Sequence, residues 1–464
     1  MPVEALSFVD TDAMSTPAFP LSTQLKTMTT SSNNVPSSSE RRDFLKKSGV
    51  AAGAAAAAGF PSIISAQSVT NSLKVGLVGA GGRGSGAAAQ ALSADKNTVL
   101  TAVADIDQAI VSRAVTRLSG SQKFGTQVKV DNALFGLDAY DKVINSGVDV
   151  VLLASPPGFR PAHLKAAVDA GKHIFCEKPA ATDAPGIRSV MESQKAAQAK
   201  NIALVCGFCW RYNNMISAAI EQVHGGALGR LVAHYSTYYT NPVKPMPPES
   251  ARPAGMGDVE WQVRNWYNFV WLSGDSLVEQ AVHNADKIMW VMKDQPPASC
   301  VSVGGRSVPA NGGNIYDHFE ANFVYPNGYR VFLANRQSTG CFNGTLDYVM
   351  GTEGTLFLGK GKPRIETPDG KIKWQWEGEE YDMYQKEHDV LFASIRSGKP
   401  KNDDLNLATS SLLAIMGRDA AYSGQEVTWE QAMNSTVSLL PTQMDMSAKF
   451  EAPGLAIPGR TKVS

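Results

Sequence analysis

The stretch Leu73 to Gly86, LKVGLVGAGGRGSG, restricts this chain more than any other. An apolar run gives way to Gly79-x-Gly81-x-x-Gly84, and an alanine-rich segment from Ala87 to Leu92 follows. That order predicts strand, tight turn and helix. The first glycine permits the turn and the second lets backbone approach a pyrophosphate. The third lets the helix pack on the strand, so that the helix N-terminus faces the phosphates. A second apolar run, Val99 to Ala104, ends in Asp105, 21 residues beyond Gly84, where a carboxylate accepts hydrogen bonds from an adenosine ribose. Asp105 also repels a 2′-phosphate, and Ile106-Asp107 brings no compensating arginine. NAD is therefore expected over NADP, with Arg83 the one nearby cation that opposes this choice.

The chain has 464 residues, room for two cores and an appendage. Lysine plus arginine equals aspartate plus glutamate at 43 each, so no basic face for nucleic acid or anionic lipid is expected and a small-molecule partner is favoured. Five cysteines in so long a chain do not suggest a disulfide framework. Cys206-Gly-Phe-Cys209 has metal-ligand spacing but no second pair, so buried thiols and no metal site are expected.

Residues 1–66 read as a leader. Its first part is rich in Ser, Thr and Pro. Arg41-Arg42, Phe44-Leu45 and a mild Ala/Gly-rich segment then look like a twin-arginine export signal, with cleavage expected near Ala66. The apolar segment is too short and too weakly hydrophobic for a stable membrane span. This reading expects a folded, cofactor-loaded protein handed to the twin-arginine machinery and a periplasmic or otherwise exported location. The alternative is a cytosolic protein with an unstructured arm.

Helical patterns near 107–118 and 138–146 lead to Val148–Ala154, an almost wholly apolar run of the kind buried on both faces in parallel sheets. It ends in Ser155-Pro156-Pro157, at the strand end where ligands bind in such sheets. A helix from Ala162 to Ala170, the strand His173–Cys176, Glu177-Lys178-Pro179, another helix and the strand Ile202–Cys206 complete a domain spanning 67–206.

The segment SPPGFRPAHLKAAVDAGKHIFCEKP, with the glycine fingerprint before it and GFCWRY after it, resembles the Gfo/Idh/MocA oxidoreductases, the family of glucose-fructose oxidoreductase and inositol dehydrogenase. The resemblance runs from about residue 73 to about residue 430. It implies an α/β fold, with an N-terminal Rossmann domain followed by a C-terminal α/β domain (207–440) built on an open, mostly antiparallel sheet, and then a tail (441–464). It also implies a homo-oligomer, in which another subunit covers the open sheet. Cofactor contacts are expected from Gly79, Gly81, Gly82, Arg83 and Gly84, from Asp105, Ser155, Pro156 and His163, and from Glu177 and Lys178. Lys178 would hold a substrate hydroxyl beside the nicotinamide.

In the second domain Glu279, His283 and Asp286 fall at helical spacing, within a helix expected from Leu277 to Trp290, and form a polar stripe on an apolar background. Members of the family usually carry Asp-x-Gly-x-His here, with the histidine as acid/base. This chain keeps the histidine and has Glu279 and Ala281 in place of the aspartate and glycine. Lys178, His283 and Glu279 are thus the expected catalytic residues, and Arg211, Tyr212, Trp266 and Asp286 the expected substrate contacts. Three tryptophans in WQVRNWYNFVWLSGD, 261–275, suit either a sugar-binding cleft or helix packing.

The expected activity is hydride transfer from a secondary hydroxyl of a sugar, glycoside or cyclitol to tightly bound NAD. Two alternatives remain at this point: an NAD-dependent glycosidase that oxidises its ring transiently, and a cofactor-binding sensor without chemistry.

Overall fold

The computed structural model describes residues 71–308, 312–403 and 405–463. The leader, with Arg41-Arg42 and the expected cleavage point near Ala66, lies outside the described residues. No helix among the described residues is long and apolar enough to cross a membrane.

The first sheet is parallel throughout. Its strands are β1 (Leu73–Val78), β2 (Thr98–Asp105), β3 (Val128–Phe135), β4 (Val150–Leu153), β5 (His173–Cys176) and β6 (Leu204–Cys206), in the order β3-β2-β1-β4-β5-β6. The order reverses between β1 and β4, and this opens a crevice at their carboxyl ends. The helices α1 (Gly82–Ala94), α2 (Gln108–Ser119), α3 (Ala139–Ile144), α4 (Arg160–Asp169) and α5 (Ala184–Ala199) connect the strands. Strands β4, β5 and β6 are buried apart from a half-buried His173, as their continuous apolar runs require. The sequence reading does not anticipate β3. It is an edge strand whose residues alternate between exposed and half-buried, so it lacks the apolar run that marks its neighbours.

Helix α6 (Asn214–His224) leads to the second sheet. Its strands are β7 (Leu231–Thr240), β8 (Ser299–Gly305), β9 (His318–Val324), β10 (Arg330–Gln337), β11 (Gly344–Gly351), β12 (Thr355–Leu358), β13 (Arg364–Glu366), β14 (Ile372–Gln375) and β15 (Val427–Thr428). They are ordered β14-β13-β12-β11-β7-β10-β9-β8-β15, antiparallel except for β7 beside β10. Asn327-Gly328 turns β9 into β10 with Gly328 at φ 83°, as expected of that dipeptide.

Between β7 and β8 lie the short helices α7 (Asp258–Arg264), α8 (Val270–Ser273) and α9 (Ser276–Glu279), then α10 (Val282–Val291). The single helix expected over 277–290 is therefore two, broken at Gln280-Ala281. The amides of Gln280 and Ala281 both bond to the Ser276 carbonyl, and that of His283 bonds to the Gln280 carbonyl. The Glu279 carbonyl is left outside the helical ladder.

The last helices are α11 (Met383–Arg396), α12 (Asn406–Ser423) and α13 (Trp429–Asn434). Although α11 follows β14 of the second sheet in sequence, Leu391, Phe392 and Ile395 share a core with Val75, Leu77 and Phe175 of the first sheet. Helix α12 is buried almost along its whole length and ties the two sheets together. Ser411 Oγ accepts from the Ala180 amide at 2.8 Å, and Arg418 donates to the Thr182 carbonyl at 2.6 Å and to the Gly274 carbonyl at 3.2 Å.

Candidate active site

A cavity of about 770 Å³ opens at the carboxyl ends of β1, β2 and β4, between the first sheet and the α7–α10 segment. Its floor is the glycine turn. Gly79 takes φ +89°, and a side chain there would strike the Ala154-Ser155 backbone at 2.6 Å. A Cβ at Gly84 would lie 1.8 Å from the Gly79 carbonyl oxygen, so only glycine lets α1 sit so close to β1. At Gly81 and Gly82 a Cβ would meet nothing, so this backbone faces open groove. A turn with exposed amides, a helix N-terminus and a carboxylate at the next strand fits a dinucleotide pyrophosphate and ribose.

Asp105 closes one side. Its Oδ2 accepts from the Ala80 amide at 2.7 Å and its Oδ1 from the Ile106 amide at 2.8 Å, so the residue braces the glycine turn as well as facing the groove. Burial pushes its carboxyl above the usual range, against the pull of these bonds. Asp105→Asn keeps an acceptor for Ala80 but loses the charge. NAD is then expected to bind about tenfold more weakly, with the gap between NAD and NADP narrowed. Titration with both nucleotides checks this, and an unchanged ratio of affinities would confine Asp105 to bracing the turn.

Ser155 Oγ and His163 Nδ1 are 2.9 Å apart, and the His163 ring stacks on Tyr140 with centroids 4.0 Å apart. Burial, then the Arg160 charge, pushes this imidazole down to about 3, so it is neutral at physiological pH. Arg160, buried beneath them, donates to the carbonyls of Ser155 and Pro179 and so clamps the loops after β4 and β5 together. Sequence reasoning missed it. The available signal was a cation in the first turn of a helix, where the helix dipole disfavours positive charge. Arg83 lies over the Tyr384 ring and pairs with Glu177, Nε to Oε1 3.1 Å, so these two expected cofactor contacts neutralise each other at the groove wall.

The expected catalytic residues meet at the other end of the cavity, where Lys178, Glu279 and His283 all contribute to the lining. The Lys178 ammonium donates to the Glu279 carbonyl at 2.5 Å and lies 3.3 Å from its Oε1. The break between α9 and α10 is what makes that carbonyl available. Glu279 Oε2 accepts from the Gln280 side chain, whose Oε1 accepts from Tyr238 OH at 3.0 Å. Tyr238 and Gln280, which sequence reasoning also missed, thereby extend the polar wall. The His283 ring stacks on Trp210 at 5.2 Å, and its Nδ1 has no hydrogen-bond partner among the described residues. Burial, then the charges of Lys178 and Lys287, holds the imidazole well below its usual range. The site thus presents an ammonium donor beside a neutral base.

Three of the four expected substrate contacts lie elsewhere. Arg211 Nε donates to both Asp286 oxygens, at 2.9 and 3.0 Å, and Asp286 also accepts from Ser410 Oγ at 2.8 Å. Tyr212 OH donates to Asp403 Oδ2 at 3.0 Å. None of Arg211, Tyr212 and Asp286 lines the cavity. A buried carboxylate needs a partner, and Asp286 finds its own on the linker between the sheets. Trp266 does line the cavity, whereas Trp261 and Trp271 pack in a satellite core with Leu272 and Phe269. The tryptophan cluster is therefore divided between cavity lining and core packing. The free cysteines Cys176, Cys206, Cys209 and Cys300 are buried.

Second-domain residues also reach the adenosine end. Arg264 pairs with Asp107, just past β2, and Lys244 Nζ donates to the Arg264 carbonyl at 2.6 Å.

Residues 73–208 match the sequence profile of the Gfo/Idh/MocA oxidoreductases, described as an oxidoreductase family with an NAD-binding Rossmann fold. The chain is 25% identical over 247 residues to inositol 2-dehydrogenase of Acidothermus cellulolyticus, covering 53% of this chain and 61% of that one. It is 33% identical over 158 residues to inositol 2-dehydrogenase 4 of Saccharopolyspora erythraea, covering 34% and 43%. The matches thus span about half the length of these relatives. Similar solved structures include levoglucosan dehydrogenase in complex with NADH and levoglucosan (TM-score 0.60, 18% identity, 77% of this chain and all of that one). Aldose-aldose oxidoreductase of Caulobacter crescentus is also similar (TM-score 0.58, 17% identity, 77% of this chain and all of that one). At such identities these structures speak for the fold. Residues 73–208 are thus similar to the NAD-binding Rossmann domain of the Gfo/Idh/MocA oxidoreductases.

Proposed function

We propose that this protein is an NAD-dependent oxidoreductase acting on a secondary hydroxyl of a sugar, glycoside or cyclitol. The observation that carries the reading is the meeting of Lys178 and His283, drawn from different domains, in the cavity whose floor is the glycine cradle. His283, held neutral, takes the hydroxyl proton. Lys178, oriented by the Glu279 carbonyl, holds the oxygen and stabilises the negative charge that develops there. NAD, when bound, accepts the hydride. The relatives named inositol 2-dehydrogenase point to the same substrate class. A panel of cyclitols, sugars and glycosides, followed by reduced-nicotinamide absorbance and product analysis, is expected to give one ketone per hydride transferred. A panel without hydride transfer would sink the reading.

One observation favours a glycosidase variant of the same chemistry. Glu279 puts a carboxylate beside Lys178, at 3.3 Å, as an extra acid/base for elimination after ring oxidation. Release of the aglycone without accumulating ketone would select this variant over net oxidation.

The reading includes export through the twin-arginine sequence at Arg41-Arg42 to a compartment without a large free nicotinamide pool. NAD then stays on the protein, and each hydride is passed to a second carbonyl substrate, or back to the oxidised ring in the glycosidase variant, before the next turnover. The Arg264–Asp107 pair, joining the second domain to the loop after β2, supports slow release. Extensively desalted mature protein is expected to retain nicotinamide and to turn over without added NAD. Protein that leaves the column empty, and works only with an external supply, would overturn cofactor retention. A homo-oligomer is part of the proposal, supported by the outer face of the second sheet, where Tyr235 stacks on Tyr348 and Val301 and Val303 are exposed.

A further inference from the structure

Below His283 lies a buried polar cluster that the proposed chemistry does not use. Lys287, one turn further along α10, pairs with Asp347 on β11, and its ammonium sits 4.0 Å from the centroid of the Trp210 ring. The His283 imidazole stacks on that same indole. Asp347 is fixed in turn by Ser236 Oγ at 2.6 Å and lies 3.1 Å from His234 Nε2, and Asn284, next to His283, donates to Ser236 Oγ at 2.6 Å and to the Thr237 carbonyl at 3.0 Å. Lys287 and Asp347 are both almost fully buried, and neither lines the cavity. A lysine committed so deeply, against the cost of desolvation, calls for a reason beyond stability, because apolar residues of similar volume would hold the core at least as well.

We propose that Lys287 is a positioning residue for proton transfer: anchored by Asp347, it fixes the indole on which His283 stacks and keeps a positive charge on the core side of that ring. The inference rests on the reading that His283 accepts the hydroxyl proton. A cation on an indole face is held by the ring quadrupole, so Lys287 and Trp210 restrain each other and the imidazole keeps one orientation toward the cavity. The charges acting on His283 are Lys178 from the loop after β5 and Lys287 from its own helix, the rings of Phe208 and Trp210 lie against it, and Glu279 and Tyr238 share the cavity wall with it. Arg211 is turned away onto Asp286. Two ammonium groups therefore oppose protonation of the imidazole, one from the cavity and one from the core.

The test uses full-length holoenzyme labelled in its histidines, with the His283 ring signal assigned by its loss in His283→Gln and its titration followed by NMR. Lys287→Gln removes the charge while its amide still donates to Asp347, and Lys287→Met with Asp347→Asn removes both charges, so no lone ion is left buried. In either variant the imidazole is expected to titrate about one pH unit higher, with the acid limb of kcat/KM moving by the same amount, while Lys287→Arg restores both. An unchanged His283 titration in the folded variants would overturn the role of Lys287. A shifted titration with an unmoved acid limb would uphold Lys287 as the charge beside His283 and reject His283 as the base.

Discussion

Replacing His283 or Lys178 by alanine is expected to lower turnover by roughly two to four orders of magnitude, with cofactor affinity nearly unchanged. The two losses differ in kind. Without His283 no neutral base remains beside the substrate hydroxyl. Glu279 is engaged by Lys178 and Gln280, and His163 is committed to Ser155. Without Lys178 the developing oxyanion loses its ammonium, and the Glu279 carbonyl, already outside the helical ladder, loses the donor that satisfies it. Neither residue belongs to the glycine cradle or to the Asp105 brace, which is why nucleotide titration should read close to wild type. Burst and steady-state kinetics on the purified variants check the expectation. Turnover within tenfold of wild type in either variant would remove that residue from the chemistry.

Asp347→Ala is expected to cost about 3–5 kcal/mol of stability at neutral pH, because it strands the Lys287 ammonium in the core. Burial by itself would raise the Asp347 carboxyl, but Lys287 and His234 outweigh it and hold the group well below the usual carboxylate range. A carboxyl depressed in the folded state stabilises the fold above its unfolded value, near 4, and loses that contribution as pH falls through the folded value. The gap between wild type and Asp347→Ala should therefore persist down to about pH 4 and narrow only below it. Removing both charges together, as in Lys287→Met with Asp347→Asn, should cost far less, since no uncompensated charge remains. Urea unfolding at several pH values measures both quantities. A single variant no less stable than the double would show that Asp347 contributes nothing as a counter-ion.

Local chemistry makes much of this protein legible in its amino-acid order. The Gly79-x-Gly81-x-x-Gly84 turn, the apolar runs of β1, β4, β5 and β6, Asp105 at the end of β2 and the Asn327-Gly328 hairpin each follow from conformational preference or hydrophobic period, properties that act between near neighbours in the chain. The sequence by itself thus determined the dinucleotide-binding half and put forward Lys178 and His283 as candidates for chemistry, while the mostly antiparallel half was expected from the family resemblance. Tertiary structure alone decided which polar residues face the cavity and which satisfy one another in the core. Arg211, Tyr212 and Asp286 look no different in sequence from Glu279 and His283, yet they are used up by partners up to 191 positions away. The break at Gln280-Ala281, which frees the Glu279 carbonyl for Lys178, and the return of α11 to the first sheet are likewise settled by contacts between distant segments. A buried donor or charge must find its partner wherever the fold brings one, and spacing along the chain carries no record of that choice.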